Sequence, residues 1–274
     1  ARYRERQSYR TRSKLSLRLH RKGLRIYTPF GILLEMMARP VLSRQPHIIM
    51  PCMMKSGSTY LAHAIASHQG LRRVRLTPTW GAREPELCEI RLSRYNHLPY
   101  VSQHHLKNSA WTQELIRRYR MTTVVLVRNL FDVTVSLRDH IRRETPVMPI
   151  AYFSQDHASL PDPELEAAIA DLAIPWFVNF YVGWRQAPNA YFVDYDELIR
   201  NPRPILAEIF RRAGIKATSD SIELALSKVQ TKNNRQNVGI KGRGNQLSLD
   251  VKQRIVQLLQ YYPSIGKDEY VANM

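Results

Sequence analysis

Two short segments of this sequence carry residue types that bind anions. The first is Lys55-Ser56-Gly57-Ser58-Thr59-Tyr60, which directly follows the apolar run 47–54 and directly precedes the helical pattern 61–68. A strand, a tight Gly/Ser loop and a helix start direct several backbone N–H groups at one point, and Lys55 adds a positive charge there. The segment predicts a site for a phosphorylated or sulfated group, and the alternative is an ordinary turn capped by Ser58 or Thr59.

The second segment places a cation at the end of another strand. Residues 122–127 are β-branched or apolar throughout, which is typical of a buried parallel strand, and Arg128-Asn129 follow before the helical stretch 131–142. Arg128 can donate two hydrogen bonds to a phosphate, and Ser136 could add a hydroxyl about two helical turns later. Nucleoside-triphosphate enzymes usually have an acid at this strand tip to hold Mg²⁺ and a G-x-x-x-x-G-K-[ST] loop. Because this chain has neither, we predict that the anion binds without a metal.

Together these residues resemble the two cofactor-binding segments of the sulfotransferases that use 3′-phosphoadenosine 5′-phosphosulfate (PAPS). The resemblance implies that the loop from Lys55 to Thr59 binds the 5′-phosphosulfate and that Arg128 and Ser136 bind the 3′-phosphate. Tyr60 stands where cytosolic members of the family carry an adenine-stacking Trp. Its flat ring keeps stacking available.

Two later segments also resemble the family. Residues 193–198, Val-Asp-Tyr-Asp-Glu-Leu, with Asn201-Pro202 after them, resemble the family's Tyr-acid-acid-Leu…Pro segment. This match implies that Tyr195 lies near the adenine, and the alternative is an aromatic residue of the core at a strand end.

The other late segment is 239–244, Gly-Ile-Lys-Gly-Arg-Gly, which resembles the Arg-Lys-Gly loop that closes over the 3′-phosphate. Ile240 replaces the first basic residue of the family's loop. The resemblance therefore implies that the phosphate contacts come from Lys241, Gly242 and Arg243.

Transfer of a sulfuryl group to a hydroxyl requires a base for the acceptor's proton, a cation at the bridging oxygen of the leaving phosphate, and in-line placement. Lys55 suits the cation role. His105 is the favoured base, because residues 103–106, Gln-His-His-Leu, resemble the Lys-Thr-His-Leu segment of cytosolic sulfotransferases. A histidine with an ordinary pKa is largely neutral near pH 7. Since only one of two adjacent strand residues can face the site, His104 is the alternative.

A rival base stands earlier in the chain. Residues 83–87, Arg-Glu-Pro-Glu-Leu, resemble the Lys-Glu segment of carbohydrate sulfotransferases, in which that Glu is the base. If Glu84 is the base, sugar acceptors are expected. The same residues also align with a proline-containing acceptor segment of the cytosolic group, which would leave Glu84 without a role in proton transfer.

The alternation of strands and helices predicts one α/β domain over residues 46–274, with a central parallel sheet flanked by helices and a P-loop-like strand-loop-helix phosphate site. Predicted strands are 47–53, 73–76, 100–104, 122–127 and 190–195, and predicted helices are 61–68, 109–119, 131–142, 164–184 with an interruption at Pro175, 202–213, 219–228 and 248–260. Ligands are expected at the carboxyl ends of the strands. The Pro-rich stretch 143–163 is a predicted lid or acceptor-binding element.

Charge is concentrated at the start of the chain, whose formal net charge is +18. Residues 1–45 hold twelve Lys and Arg against Glu5 and Glu35, which predicts a basic arm that is partly disordered or associates with a surface. An anionic membrane surface, nucleic acid and an acidic substrate are all consistent with this arm, and a solvated tail without a partner is the alternative. Nucleic acid is not the expected partner, because the predicted anion site lies in the folded core. Cys52 and Cys88 form no disulfide framework. With no visible secretory signal, the expected location is cytoplasmic, with membrane contact through the arm as an option.

These observations predict a metal-independent sulfotransferase that uses PAPS, releases 3′-phosphoadenosine 5′-phosphate (PAP) and acts on a hydroxyl or an amine. The sequence leaves open whether the acceptor is a sugar, a lipid headgroup or a small alcohol or phenol. A nucleotide-dependent kinase on a related fold is one alternative, and the presence of Arg128, with no acid at the strand tip itself, argues against it. A non-catalytic polyanion-binding protein is the other, and steeply salt-dependent binding without sulfation would favour it.

Overall fold

The computed structural model describes residues 45–68, 70–77, 85–230 and 242–265. The predicted basic arm, except for Gln45, lies outside the described residues, as do Glu84 and Lys241. Predictions that involve those residues stay predictions.

A five-stranded parallel sheet forms the centre of the fold. Its strands are β1 (His47–Pro51), β2 (Arg72–Arg73), β3 (Tyr100–His104), β4 (Thr122–Val127) and β5 (Tyr191–Asp194). They pair in the order β2-β3-β1-β4-β5, and every pairing is parallel. The chain therefore leaves β1 toward one edge of the sheet and later returns to the other side of β1. This reversal opens a crevice at the carboxyl ends of the strands, where ligands bind in sheets of this kind.

Helices cover both faces of the sheet. In the described part of the chain they are α1 (Ser58–Ser67), α2 (Glu89–Tyr95), α3 (Ala110–Arg118), α4 (Leu130–Arg143), α5 (Gln155–Ala158), α6 (Asp162–Leu172), α7 (Ile174–Arg185), α8 (Tyr195–Arg200), α9 (Pro202–Arg212), α10 (Ser219–Gln230) and α11 (Leu249–Gln260). Short 3₁₀ turns lie at Arg243–Gln246 and Pro263–Ile265.

The two faces bury separate apolar clusters, because successive strand residues point to opposite sides. Ile48 and Met50 of β1 pack with α1, α9 and α10. Ile49, between them, packs in the cluster that includes α3, α4, α6, α7 and α11. Helices and apolar side chains therefore cover both faces of the sheet, which explains why residues 122–127 are all β-branched or apolar and confirms the predicted α/β architecture.

The helical stretch predicted over 164–184 is interrupted near Pro175, as expected. It is divided at Ala173 into α6 and α7, because Pro175 lacks the N–H that would continue the hydrogen-bond ladder. The stretch Asp162–Arg185 is long and apolar enough to cross a membrane by length and composition, but 67% of its most apolar window is buried in the fold.

Other elements differ from the sequence prediction. Helices α2 and α8 were not predicted, and the stretch 143–163 contains α5 and a bridge between Val147 and Tyr152.

Candidate functional site

A cavity of about 190 Å³ opens at the carboxyl ends of β1, β3 and β4. Most of the predicted site residues that the structure describes line it: Lys55, Gly57, Ser58, Thr59, Tyr60, His105, Arg128, Ser136 and Tyr195. Three polar residues that the sequence interpretation did not assign to the site also line it: Gln103, His140 and Glu144. Segments far apart in the sequence thus converge on one polar cavity.

The loop after β1 is held in a tight conformation. The Ser56 hydroxyl is buried and donates a 2.6 Å hydrogen bond to the Met53 carbonyl oxygen. Lys55 and Gly57 both have left-handed backbones, with φ of 63° and 72°. A side chain on Gly57 would place its Cβ 3.1 Å from the Tyr195 ring. Left-handed backbone in a residue such as Lys55 costs on the order of 1 kcal/mol and is typical of ligand-binding loops.

Arg128 joins the two predicted anion-binding segments. It is 5% exposed, and its Nη1 donates a 2.9 Å hydrogen bond to the carbonyl oxygen of Lys55. Its Nη2 lies 3.7 Å from Asp132 Oδ2, and its Cζ lies 4.0 Å from the centre of the Tyr195 ring. The guanidinium therefore has a fixed direction, and its positive charge lies beside the loop that starts α1.

One face of α4 contributes a polar stripe to the cavity. Ser136, His140 and Glu144 are four residues apart and therefore lie on one side of the helix. Glu144 Oε1 is 3.7 Å from Lys55 Nζ, and Glu144 Oε2 is 3.3 Å from His140 Nδ1. The same spacing extends back from Ser136 to Arg128, so the stripe could have been predicted from the sequence. Gln103, from β3, donates a 2.7 Å hydrogen bond to Ser58 Oγ.

The two adjacent histidines have different environments. His104 is buried, its Nε2 accepts a 3.2 Å hydrogen bond from the Leu76 N–H, and burial and nearby cations lower its pKa to about 3. Of the pair, only His105 lines the cavity, with Nδ1 2.9 Å from the Cys52 carbonyl oxygen and 3.5 Å from Cys52 Sγ. Burial lowers the pKa of His105, but these contacts with Cys52 outweigh it and raise the pKa to about 9.

The glycine-rich segment is attached to α4. Asp132 accepts hydrogen bonds from the N–H groups of Gly242 and Gly244, at 3.1 and 2.7 Å. Arg243 Nη2 donates to Asp139 Oδ2 at 2.6 Å. Arg243 does not line the cavity, and its side chain pairs with this acidic residue of α4. The predicted contact of Arg243 with the phosphate stays a prediction.

Comparisons with known proteins agree on one family. A model of the sulfotransferase domain matches residues 45–242. Among solved structures, mouse sulfotransferase SULT7A1 complexed with PAP shares 15% identity with a TM-score of 0.61, over 83% of this chain and 87% of that chain. Sulfotransferase STF1 from Mycobacterium tuberculosis H37Rv shares 11% identity with a TM-score of 0.50, over 83% and 80%.

Retinol dehydratase in complex with androsterone and inactive cofactor PAP shares 14% identity with a TM-score of 0.51, over 84% and 83% of the two chains. At these identities the structural likeness shows the fold. A search of curated protein sequences gave no significant match. Because the domain model covers more than half of the sequence, the predicted family is confirmed, and the chain belongs to the sulfotransferases, the enzymes that transfer a sulfuryl group from PAPS to an acceptor.

Proposed function

We propose that this sulfotransferase transfers the sulfuryl group of PAPS directly to an acceptor hydroxyl in the cavity at the carboxyl ends of β1, β3 and β4. The observation that carries the proposal is the 2.9 Å hydrogen bond from Arg128 to the Lys55 carbonyl oxygen. This contact brings the two anion-binding segments together at one cavity, as is required of a site that binds both phosphates of one adenosine donor.

Each end of the donor has its own partners. The loop from Lys55 to Thr59 and the start of α1 bind the 5′-phosphosulfate through backbone N–H groups and the Lys55 charge. Arg128 and the Ser136 hydroxyl bind the 3′-phosphate. Because the Tyr195 ring already packs against the Arg128 guanidinium, the adenine stacks on Tyr60, whose ring lines the cavity.

Chemistry takes place between Lys55 and His105. The acceptor oxygen attacks the sulfur and gives its proton to His105 Nε2, while the bond from sulfur to the 5′-phosphate oxygen breaks and PAP leaves. Lys55 stabilises the charge that develops on that bridging oxygen. Lys55 lies 3.7 Å from Glu144 in this structure, so it must turn from the carboxylate toward the donor.

The acceptor side of the cavity favours a polar substrate. His140 and Glu144 line it, and a carboxylate accepts hydrogen bonds from hydroxyl or amine groups. A sugar or a polar lipid headgroup therefore suits this wall better than an apolar phenol or steroid. A screen of acceptor pools with PAPS labelled in its sulfur identifies the acceptor, and labelling confined to apolar phenols would contradict this choice.

Binding of PAP tests the donor site without knowledge of the acceptor. Calorimetry should detect PAP binding to the wild-type chain, and Arg128→Ala should weaken it by about 10- to 100-fold, since hydrogen bonds to a charged group contribute about 1.5–3 kcal/mol each. Arg117→Ala is the matched control, because that side chain is 75% exposed on α3. Absence of heat with the wild-type chain, or unchanged affinity in Arg128→Ala, would overturn the proposed donor site.

A further inference from the structure

Asp132 contacts both Arg128 and the glycine-rich segment 242–244, the two segments that the family resemblance assigns to the 3′-phosphate. It is 3% exposed in the first turn of α4, four residues after Arg128. One oxygen accepts the Gly244 N–H at 2.7 Å, and the other accepts the Gly242 N–H at 3.1 Å and lies 3.7 Å from Arg128 Nη2. A single buried carboxylate thus bridges the strand-tip cation and a segment more than a hundred residues later in the chain.

Close packing adds to this attachment. Gly244 lies so near the start of α4 that a Cβ on it would be 2.3 Å from the Phe131 Cβ and 2.8 Å from the Phe131 carbonyl carbon. Gly242 has a left-handed φ of 75°, which suits glycine. The backbone of 242–244 therefore has one position against α4, and Asp132 supplies its hydrogen-bond acceptors.

We propose that Asp132 is a positioning residue that holds Arg128 and the segment 242–244 in one arrangement for binding the donor's 3′-phosphate. This inference rests on the proposed donor site. The Arg128 to Asp132 separation of 3.7 Å is longer than a charge-assisted hydrogen bond of about 2.7–2.9 Å. The Asp132 carboxylate therefore orients the Arg128 guanidinium but offsets its positive charge less than a directly hydrogen-bonded pair would. The shorter hydrogen bonds that the carboxylate accepts from Gly242 and Gly244 fix the position of the glycine segment.

The test compares two nucleotides that differ only in the 3′-phosphate. Calorimetry measures the affinities of PAP and of adenosine 5′-phosphate for the wild-type chain and for Asp132→Asn, which keeps the side-chain shape. In Asp132→Asn, an amide NH₂ group replaces one carboxylate oxygen. Because this group cannot accept a hydrogen bond from a backbone N–H, either Gly242 or Gly244 loses its partner. We expect PAP affinity to fall about 10-fold or more and adenosine 5′-phosphate affinity to change less than about 3-fold.

A second variant acts on the same attachment from the other side. Gly244→Ala forces the segment away from Phe131, and we expect the same selective loss of PAP affinity. Asp220→Asn is the control, because Asp220 is also in the first turn of a helix but is exposed. Thermal unfolding of each variant shows whether it is folded at the temperature of the titration.

The outcomes separate this inference from the proposed function. If the wild-type chain binds PAP no better than adenosine 5′-phosphate, the proposed 3′-phosphate site itself is wrong. The inference is overturned if the wild-type chain prefers PAP and both folded variants keep that preference. It is also overturned if the variants lose affinity for PAP and for adenosine 5′-phosphate by the same factor, since Asp132 then does not position the phosphate site.

Discussion

Lys55→Ala should lower the turnover number for sulfuryl transfer by about 100- to 1000-fold, the range found when one group that stabilises developing charge is removed. Negative charge accumulates on the bridging oxygen only as the bond to sulfur breaks, so Lys55 contributes more to the transition state than to binding of the donor. PAP affinity, measured by calorimetry, should therefore fall much less than turnover. Turnover is measured with PAPS labelled in its sulfur and the acceptor found by screening.

Two further variants test whether the effect of Lys55→Ala depends on the position of the positive charge and on the group that carries it. Lys216→Ala removes an exposed cation elsewhere in the chain and should leave turnover unchanged, which excludes a general effect of net charge. Lys55→Arg keeps the positive charge but replaces the compact ammonium group with a planar guanidinium, and we expect partial activity. Equal, small losses of turnover and of PAP affinity in Lys55→Ala would show that Lys55 only binds the donor.

The sequence was most informative where function and fold depend on neighbouring residues. Strands 100–104 and 122–127 were predicted with the bounds that the structure has, and 122–127 could be recognised because every residue in it is β-branched or apolar, as is typical of a strand covered on both faces. Lys55 and Arg128 could be located because a strand, a turn and a helix start lie within a few residues of each. Their meeting in one cavity then follows from the parallel sheet.

Residues whose partners are distant in the sequence were harder to interpret. Arg243 was expected at the phosphate, but it pairs with Asp139, which lies 104 residues earlier and gives no local sign of this role. The choice between His104 and His105 required the strand register, because alternation shows only that one of them faces the site. His140 and Glu144 were missed although their spacing from Ser136 was visible, since the family resemblance assigned a role to Ser136 alone on this helix.

Helix α4 organises the site more than its sequence motif suggests. Its first turn carries Asp132, which holds the glycine segment, its later turns carry Ser136 and His140 into the cavity, and Glu144 follows at its C-cap. The proposed donor contacts and the proposed acceptor contacts therefore lie on or beside one helix about four turns long. A shift of this helix would change the proposed donor site and the proposed acceptor site together. Two buried carboxylates, Asp132 and Asp139, oppose such a shift because they attach the helix to residues 242–244.

His105→Ala should lower turnover by about 100- to 10,000-fold, the usual contribution of a general base, and should leave PAP affinity nearly unchanged. Only the neutral imidazole can accept the acceptor's proton. Because contacts with Cys52 raise the pKa of His105 to about 9, the imidazolium predominates at pH 7, and kcat/KM in the wild-type enzyme should rise as the pH increases toward 9. The residual activity of His105→Ala should lack this rise.

Parallel variants of the other candidate bases decide the assignment. His97→Ala, an exposed histidine after α2, is the control and should behave like the wild-type enzyme. Full activity in His105→Ala together with a large loss in His140→Ala would give the role to the histidine that contacts Glu144. Full activity in His105→Ala with a loss in Glu84→Gln would instead support the carboxylate base, and with it a mechanism like that of the carbohydrate sulfotransferases.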